Sequence, residues 1–126
     1  MAERALHRCE YCRAPEQVFN FAFEVDHIVP RASIGSNSPD NLALACESCN
    51  LYKGSALVAQ DVETADFLPL FNPRRDHWQA HFEFNSQTSI ILGVTPTGRA
   101  TIERLKMNSA FQVRARGHWV FLEIYP

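Results

Sequence analysis

At 126 residues, with 46% apolar and 21% charged side chains, the chain suits one compact domain and excludes both wholesale disorder and two independent enzymes. Its net charge of −2 is not the global signature of a nucleic-acid binder. No apolar run approaches the roughly 18 residues of a spanning helix and MAERALHRCE lacks an apolar signal core, so a cytoplasmic protein is expected.

In chain order, Cys9 to Cys12 reads as a knuckle turn followed by an Arg13-Ala14-Pro15 loop. Phe21-Ala22-Phe23-Glu24-Val25 alternates as a strand does and delivers Asp26 and His27 at its end. Turn residues make Pro30 to Pro39 a loop, and Leu42-Ala43-Leu44-Ala45 a short apolar strand able to pair antiparallel with the first. Cys46 to Lys53 then reads as one or two helical turns closed by Gly54. Strand, loop, strand, helix is a ββα unit.

Asn72-Pro73 resembles a cap with proline at the first helical position, and Trp78 with Phe82 keeps i,i+4 spacing, which predicts a helix from Pro73 to about His81. A hairpin is expected from Phe82-Glu83-Phe84 to Ser89-Ile90-Ile91-Leu92. Thr95-Pro96 starts a helix to about Met107, with Ile102 and Leu105 inward. After Asn108 two readings stand: Phe111, Ala115, Trp119 and Leu122 fit a helical face, while Gly117 and the apolar run 119–122 allow a terminal strand. From residue 84 onward the basic side chains give a net +3 against −3 over residues 59–83, so the C-terminal part is a candidate for phosphate contact or simply a pair of solvated faces.

The two Cys-x-x-Cys pairs, Cys9/Cys12 and Cys46/Cys49, bring the four thiolates that a tetrahedral Zn²⁺ takes, each pair offering two sulfurs from a short turn. A reducing compartment favours metal over two disulfides, and a redox dithiol would need only one pair within a βαβ pattern. Between the pairs lie groups suited to phosphodiester hydrolysis, which needs a nucleophile, charge neutralisation and a stabilised leaving oxygen. His27 is the candidate base, because neutral imidazole takes a proton near neutral pH when a neighbour fixes its tautomer. Asp26 is the candidate ligand of a hard cation such as Mg²⁺, and Asn50, directly after Cys49, the second. Neighbours on a straight strand face opposite ways, so the strand is expected to end or bend at Asp26-His27.

Cys-x-x-Cys, Asp-His, a middle Asn and Cys-x-x-Cys-Asn resemble the HNH endonuclease family, over residues 9–54. The resemblance implies a ββα-metal fold with structural zinc on Cys9, Cys12, Cys46 and Cys49. It also implies His27 as general base, Asp26 and Asn50 as ligands of the catalytic divalent ion, and Asn41 as the middle residue that holds the loop between the strands. LFNPRRDHW and TGRATIERL look like the C-terminal extension of compact bacterial members. The family's last position is a histidine, whereas Asn50 stands here; an amide oxygen suits Mg²⁺ or Mn²⁺ better than softer metals.

The expectation is therefore an α+β fold, one domain over 1–126 with a core at 9–54 and a helix and hairpin extension at 59–126, acting as a DNA endonuclease. The alternative is a non-catalytic zinc module that binds nucleic acid or protein. Residue by residue, Asp26 has the alternative of capping a turn or pairing with an arginine, and Asn50 that of capping the helix. Arg31 and Lys53 are candidates for phosphate contact, with solvated surface charge the commoner explanation. His77 and His81 would fall on one helix face, more suited to packing than to a metal; Trp78, Phe82 and Trp119 read as core.

Overall fold

The computed structural model describes residues 2–126. β1 (Glu24–His27) pairs antiparallel with β2 (Leu42–Ala45), and Cys46 turns the chain into α1 (Glu47–Lys53), which Gly54 ends. Phe21 to Phe23, expected in the first strand, lie before it. Phe19 and Phe23 pack edge to face at 4.8 Å and Phe19 reaches the Trp119 ring at 5.9 Å, so these rings face the C-terminal helix. The Phe23 amide donates to the Glu16 carboxylate (2.7 Å), while β2 offers only four residues for pairing.

The loop between the strands contains two short 3₁₀ turns, Arg31–Ser33 and Pro39–Asn41. Gly35 lets it fold tightly, because a Cβ there would overlap the Val29 carbonyl.

A hairpin absent from the sequence reading follows: β3 (Val58–Gln60) pairs with β4 (Phe67–Pro69). Its strands are too short to show alternation. The signal lies in the turn, where Asp61 accepts from the amides of Glu63 (3.3 Å) and Thr64 (3.2 Å). The helix expected from Pro73 is shorter, α2 (Trp78–His81). Asn72 does cap, its Oδ1 accepting from the Arg74 amide at 2.8 Å, but this holds a single turn before His77 becomes extended. His77 and His81 therefore do not share a helical face. Among the described residues, the cysteine quartet is the one cluster of three or more His, Cys, Asp or Glu side chains with ligand geometry.

β5 (Phe82–Asn85) and β6 (Ile90–Gly93) form the expected hairpin, and α3 (Pro96–Leu105) starts at Thr95, whose Oγ1 accepts from the Gly98 amide (3.0 Å). The ambiguous end is α4 (Ala110–Phe121). Gly117 lies within this helix, where a Cβ would meet Ser89 Oγ at an ordinary contact distance of 3.4 Å. The inward face differs from the expected one: Phe111 and Leu122 are exposed, and the buried positions are Arg116 and Trp119. Arg116 is fully buried, donating to the carbonyls of Ser89 (2.8 Å) and Met107 (2.6 Å). Its polarity hid this seam from a hydrophobicity pattern.

The C-terminal half packs back on the knuckle. Trp78 Nε1 donates to the Tyr11 carbonyl (2.7 Å), Tyr125 Oη to the Cys12 carbonyl (2.7 Å), and Arg8 to the Ile124 carbonyl (2.9 Å). α3 lies against α1 and the hairpins, with Arg104 donating to the Lys53 carbonyl at the end of α1 (3.3 Å). Among the described residues no helix is long and apolar enough to cross a membrane.

Candidate metal centre and nuclease site

The four sulfurs of Cys9, Cys12, Cys46 and Cys49 are buried and lie within 4.8 Å of one another. A zinc–sulfur distance of about 2.3 Å in a tetrahedron gives sulfur–sulfur edges of about 3.8 Å. The 3.7 Å between Cys12 and Cys46 fits that geometry. The amides of Cys12 (3.5 Å) and Cys49 (3.4 Å) donate to Cys9 and Cys46 sulfur, orienting each turn. Against the opposing effect of burial, hydrogen bonds from the other three sulfurs draw Cys9 well below the usual thiol range. Bonds to Cys12 push Cys46 and Cys49 up. A dication resolves such crowding by taking every sulfur as thiolate, so the quartet suits structural zinc.

Asp26 and His27 are the last two residues of β1, and the strand pairs through both, opposite Ala43 and Leu42. Their side chains therefore alternate: the strand does end there, yet Asp26 is buried whereas His27 faces the loop, half-buried. Asp26 neither caps a turn nor meets an arginine. Its Oδ2 accepts from the Tyr11 hydroxyl at 2.6 Å, and Lys53 Nζ stands 3.3 Å from Oδ1 and 3.2 Å from Oδ2. Lys53 is thus no solvated charge. It is 1% exposed and also donates to the carbonyls of His27 and Ile28, both at 3.2 Å. Burial, then the Asp26 carboxylate, hold the Tyr11 phenol well above its ordinary range, so it stays a proton donor at neutral pH.

His27 Nε2 lies 2.8 Å from Asn37 Oδ1 and 3.4 Å from Arg31 Nε. The shorter contact, to the Asn37 carboxamide, holds the ring against the loop. Asn41 spans the loop: Oδ1 accepts from the Val29 amide (2.8 Å), and Nδ2 donates to the carbonyls of Val29 (3.0 Å) and Ser36 (2.7 Å). Asn50 is the fourth residue of α1, not its cap; Cys46 takes that role. Among the described residues the half-buried Asn50 carboxamide has no partner within the protein.

Tyr11 and Asn37 carry no role in the sequence reading, and Lys53 stands there only as a phosphate contact or a solvated surface charge. Lys53 had a signal, since it follows Asn50 by three residues and Cys49 by four on one helix. Tyr11 had none beyond its place between two cysteines.

The C-terminal cations form less of a phosphate surface than their number suggests. Arg99 pairs with Asp61 (2.9 Å) and Glu63 (3.0 Å), and Arg116 is internal. Lys106 lies over the Tyr52 ring at 4.7 Å, beside α1.

The cysteine quartet, whose geometry suits zinc, joins a strand, strand and helix that carry Asp-His and Asn. Residues 9–56 match the family described as HNH endonuclease. The chain is also similar to the CRISPR-associated endonuclease Cas9 of Corynebacterium diphtheriae (strain ATCC 700971 / NCTC 13129 / Biotype gravis). The two are 47% identical over 53 residues, which are 41% of this chain and 5% of that protein. The chain thus spans a small fraction of that relative's length. No solved structure matches it.

Proposed function

We propose that this protein is a metal-dependent endonuclease that hydrolyses DNA phosphodiester bonds, working as one domain whose extension braces the core. One observation carries the reading: the strand end bearing Asp26 and His27 is held between the two halves of the cysteine quartet, inside the segment that matches the HNH family. The alternative zinc module gives no reason for a buried carboxylate and an oriented imidazole to be assembled there together.

Asp26 and Asn50 would hold a divalent ion. Their oxygens are hard donors and too few to enclose it, which suits Mg²⁺ or Mn²⁺ with water and phosphate completing the shell. When bound, that ion supplies charge neutralisation at the phosphate and the departing oxygen. His27 Nδ1 takes the proton of the attacking water while Asn37 keeps Nε2 protonated and the ring fixed. Tyr11 donates to Asp26 Oδ2 and Lys53 to Oδ1, so each oxygen keeps one further lone pair toward such an ion. Arg31, within reach of His27, and Lys106 on Tyr52 are the cations offered to the DNA backbone. Thiols held for zinc suit a reducing compartment such as the cytoplasm.

The test is His27→Ala at equal zinc content. Nicking of supercoiled plasmid in Mg²⁺ is expected to fall by about 10²-fold or more, the range for a lost general base. Unchanged nicking overturns the assignment.

A further inference from the structure

Asp26 is gripped from both ends of the cysteine quartet. Tyr11, between Cys9 and Cys12, reaches it through a 2.6 Å hydrogen bond, and Lys53 reaches it from the helix that Cys46 and Cys49 begin. The Tyr11 arm is rigid. Its side chain is fully buried, its ring meets Phe71 edge-on at 6.5 Å, and its carbonyl accepts from Trp78 Nε1 at 2.7 Å. Its turn is strapped to β2, where the Glu10 amide donates to the Leu44 carbonyl (2.8 Å) and the Leu44 amide to Glu10 Oε1 (3.0 Å).

We propose that Tyr11 is a positioning residue that transmits the geometry of the zinc knuckle to Asp26, and so sets the affinity of the nuclease site for its divalent ion. This rests on the reading of Asp26 as a ligand of that ion. A carboxylate can rotate about two side-chain torsions; the 2.6 Å bond from the phenol fixes Oδ2 and with it the orientation of the whole group. Groups that orient a ligand in this way typically change metal affinity about 10- to 100-fold when removed. Lys53, buried and tied to the His27 and Ile28 carbonyls, neutralises the carboxylate from the other side, while the shorter bond to Asp26 is the one from Tyr11. A zinc held by the quartet would thus be linked to the Asp26 carboxylate through the Tyr11 hydroxyl on one arm, and disturbing that knuckle should weaken the divalent-ion site even where the fold survives.

Tyr11→Phe keeps the ring and removes only the hydroxyl. Mn²⁺ binding is measured by electron paramagnetic resonance and calorimetry on zinc-loaded wild type, Tyr11→Phe and Asp26→Asn, with zinc content and thermal midpoint recorded for each. The expected result is near-complete loss of binding in Asp26→Asn, and about tenfold or greater weakening in Tyr11→Phe with one zinc retained. In nicking assays the Tyr11→Phe protein should need correspondingly more Mg²⁺ for half-maximal rate while approaching the wild-type rate at saturation, a split that mere loss of stability does not produce. Wild-type Mn²⁺ affinity in Tyr11→Phe, with Asp26→Asn impaired, overturns the coupling alone. Wild-type affinity in Asp26→Asn, or no binding by the wild type, overturns the ligand reading and the coupling with it.

Discussion

Lys53→Met removes the buried ammonium while keeping an unbranched side chain of similar length. In the native protein Nζ lies within 3.3 Å of both Asp26 oxygens and donates to the carbonyls of His27 and Ile28 at 3.2 Å. Both partners are almost entirely shielded, with side chains 2% and 5% exposed, so solvent screening gives little relief. Breaking a buried pair by removing one member typically costs about 3–5 kcal/mol, because the remaining charge stays desolvated. Tyr11 still donates to Asp26, which limits the loss, while two orphaned carbonyls add to it. The expected destabilisation is therefore about 3–5 kcal/mol, a large part of the roughly 5–15 kcal/mol that holds a domain of this size. With a urea slope of about 1–3 kcal/mol per molar, the midpoint should fall by roughly 2 M. The assay is urea unfolding in zinc-saturated buffer, followed by both far-ultraviolet circular dichroism and tryptophan fluorescence, so that coincident transitions justify a two-state treatment. Asp26→Asn/Lys53→Met should be more stable than Lys53→Met, since the buried charge is gone. A Lys53→Met protein within about 1 kcal/mol of wild type, or a double variant at the sum of the singles, would refute the pairing as the source of the energy.

Removal of zinc by a chelator should unfold the segment 9–54 and expose four titratable thiols, whereas two disulfides would leave none; native mass spectrometry before and after checks the expected single zinc. Zinc retention should weaken as pH falls, because the ligands must be thiolates. Asp61 provides an acid-limb prediction. Hydrogen bonds from Arg99 hold its carboxyl well below the usual range, so the stabilisation is present above the unfolded carboxyl value near 4 and is lost as pH falls through the lower folded value. Asp61→Asn should flatten thermal stability below about pH 4 relative to wild type, and an identical acid profile would show that the pair contributes nothing. Asn37→Ala frees the His27 ring to reorient and should lower nicking about tenfold while leaving zinc content and thermal midpoint unchanged.

Local sequence determined the elements whose causes are local. Pair spacing of cysteines implied a metal quartet, turn residues bounded the loop before Leu42, and Thr95-Pro96 marked the start of α3, because caps and turns act within a few residues of themselves. The motif on and between the cysteine pairs likewise named Asp26 and His27, with Asn50 directly after Cys49, as candidates. Tertiary structure decided what these residues touch. It turned Lys53 from an apparent surface charge into the buried partner of Asp26 and put the Tyr11 hydroxyl on the same carboxylate from 15 residues away. It also buried Arg116 in place of Phe111 and Leu122, and spent Arg99 on Asp61. Hydrophobic periodicity and charge counts cannot register such choices, because a buried polar group is defined by partners distant in sequence that only chain closure supplies.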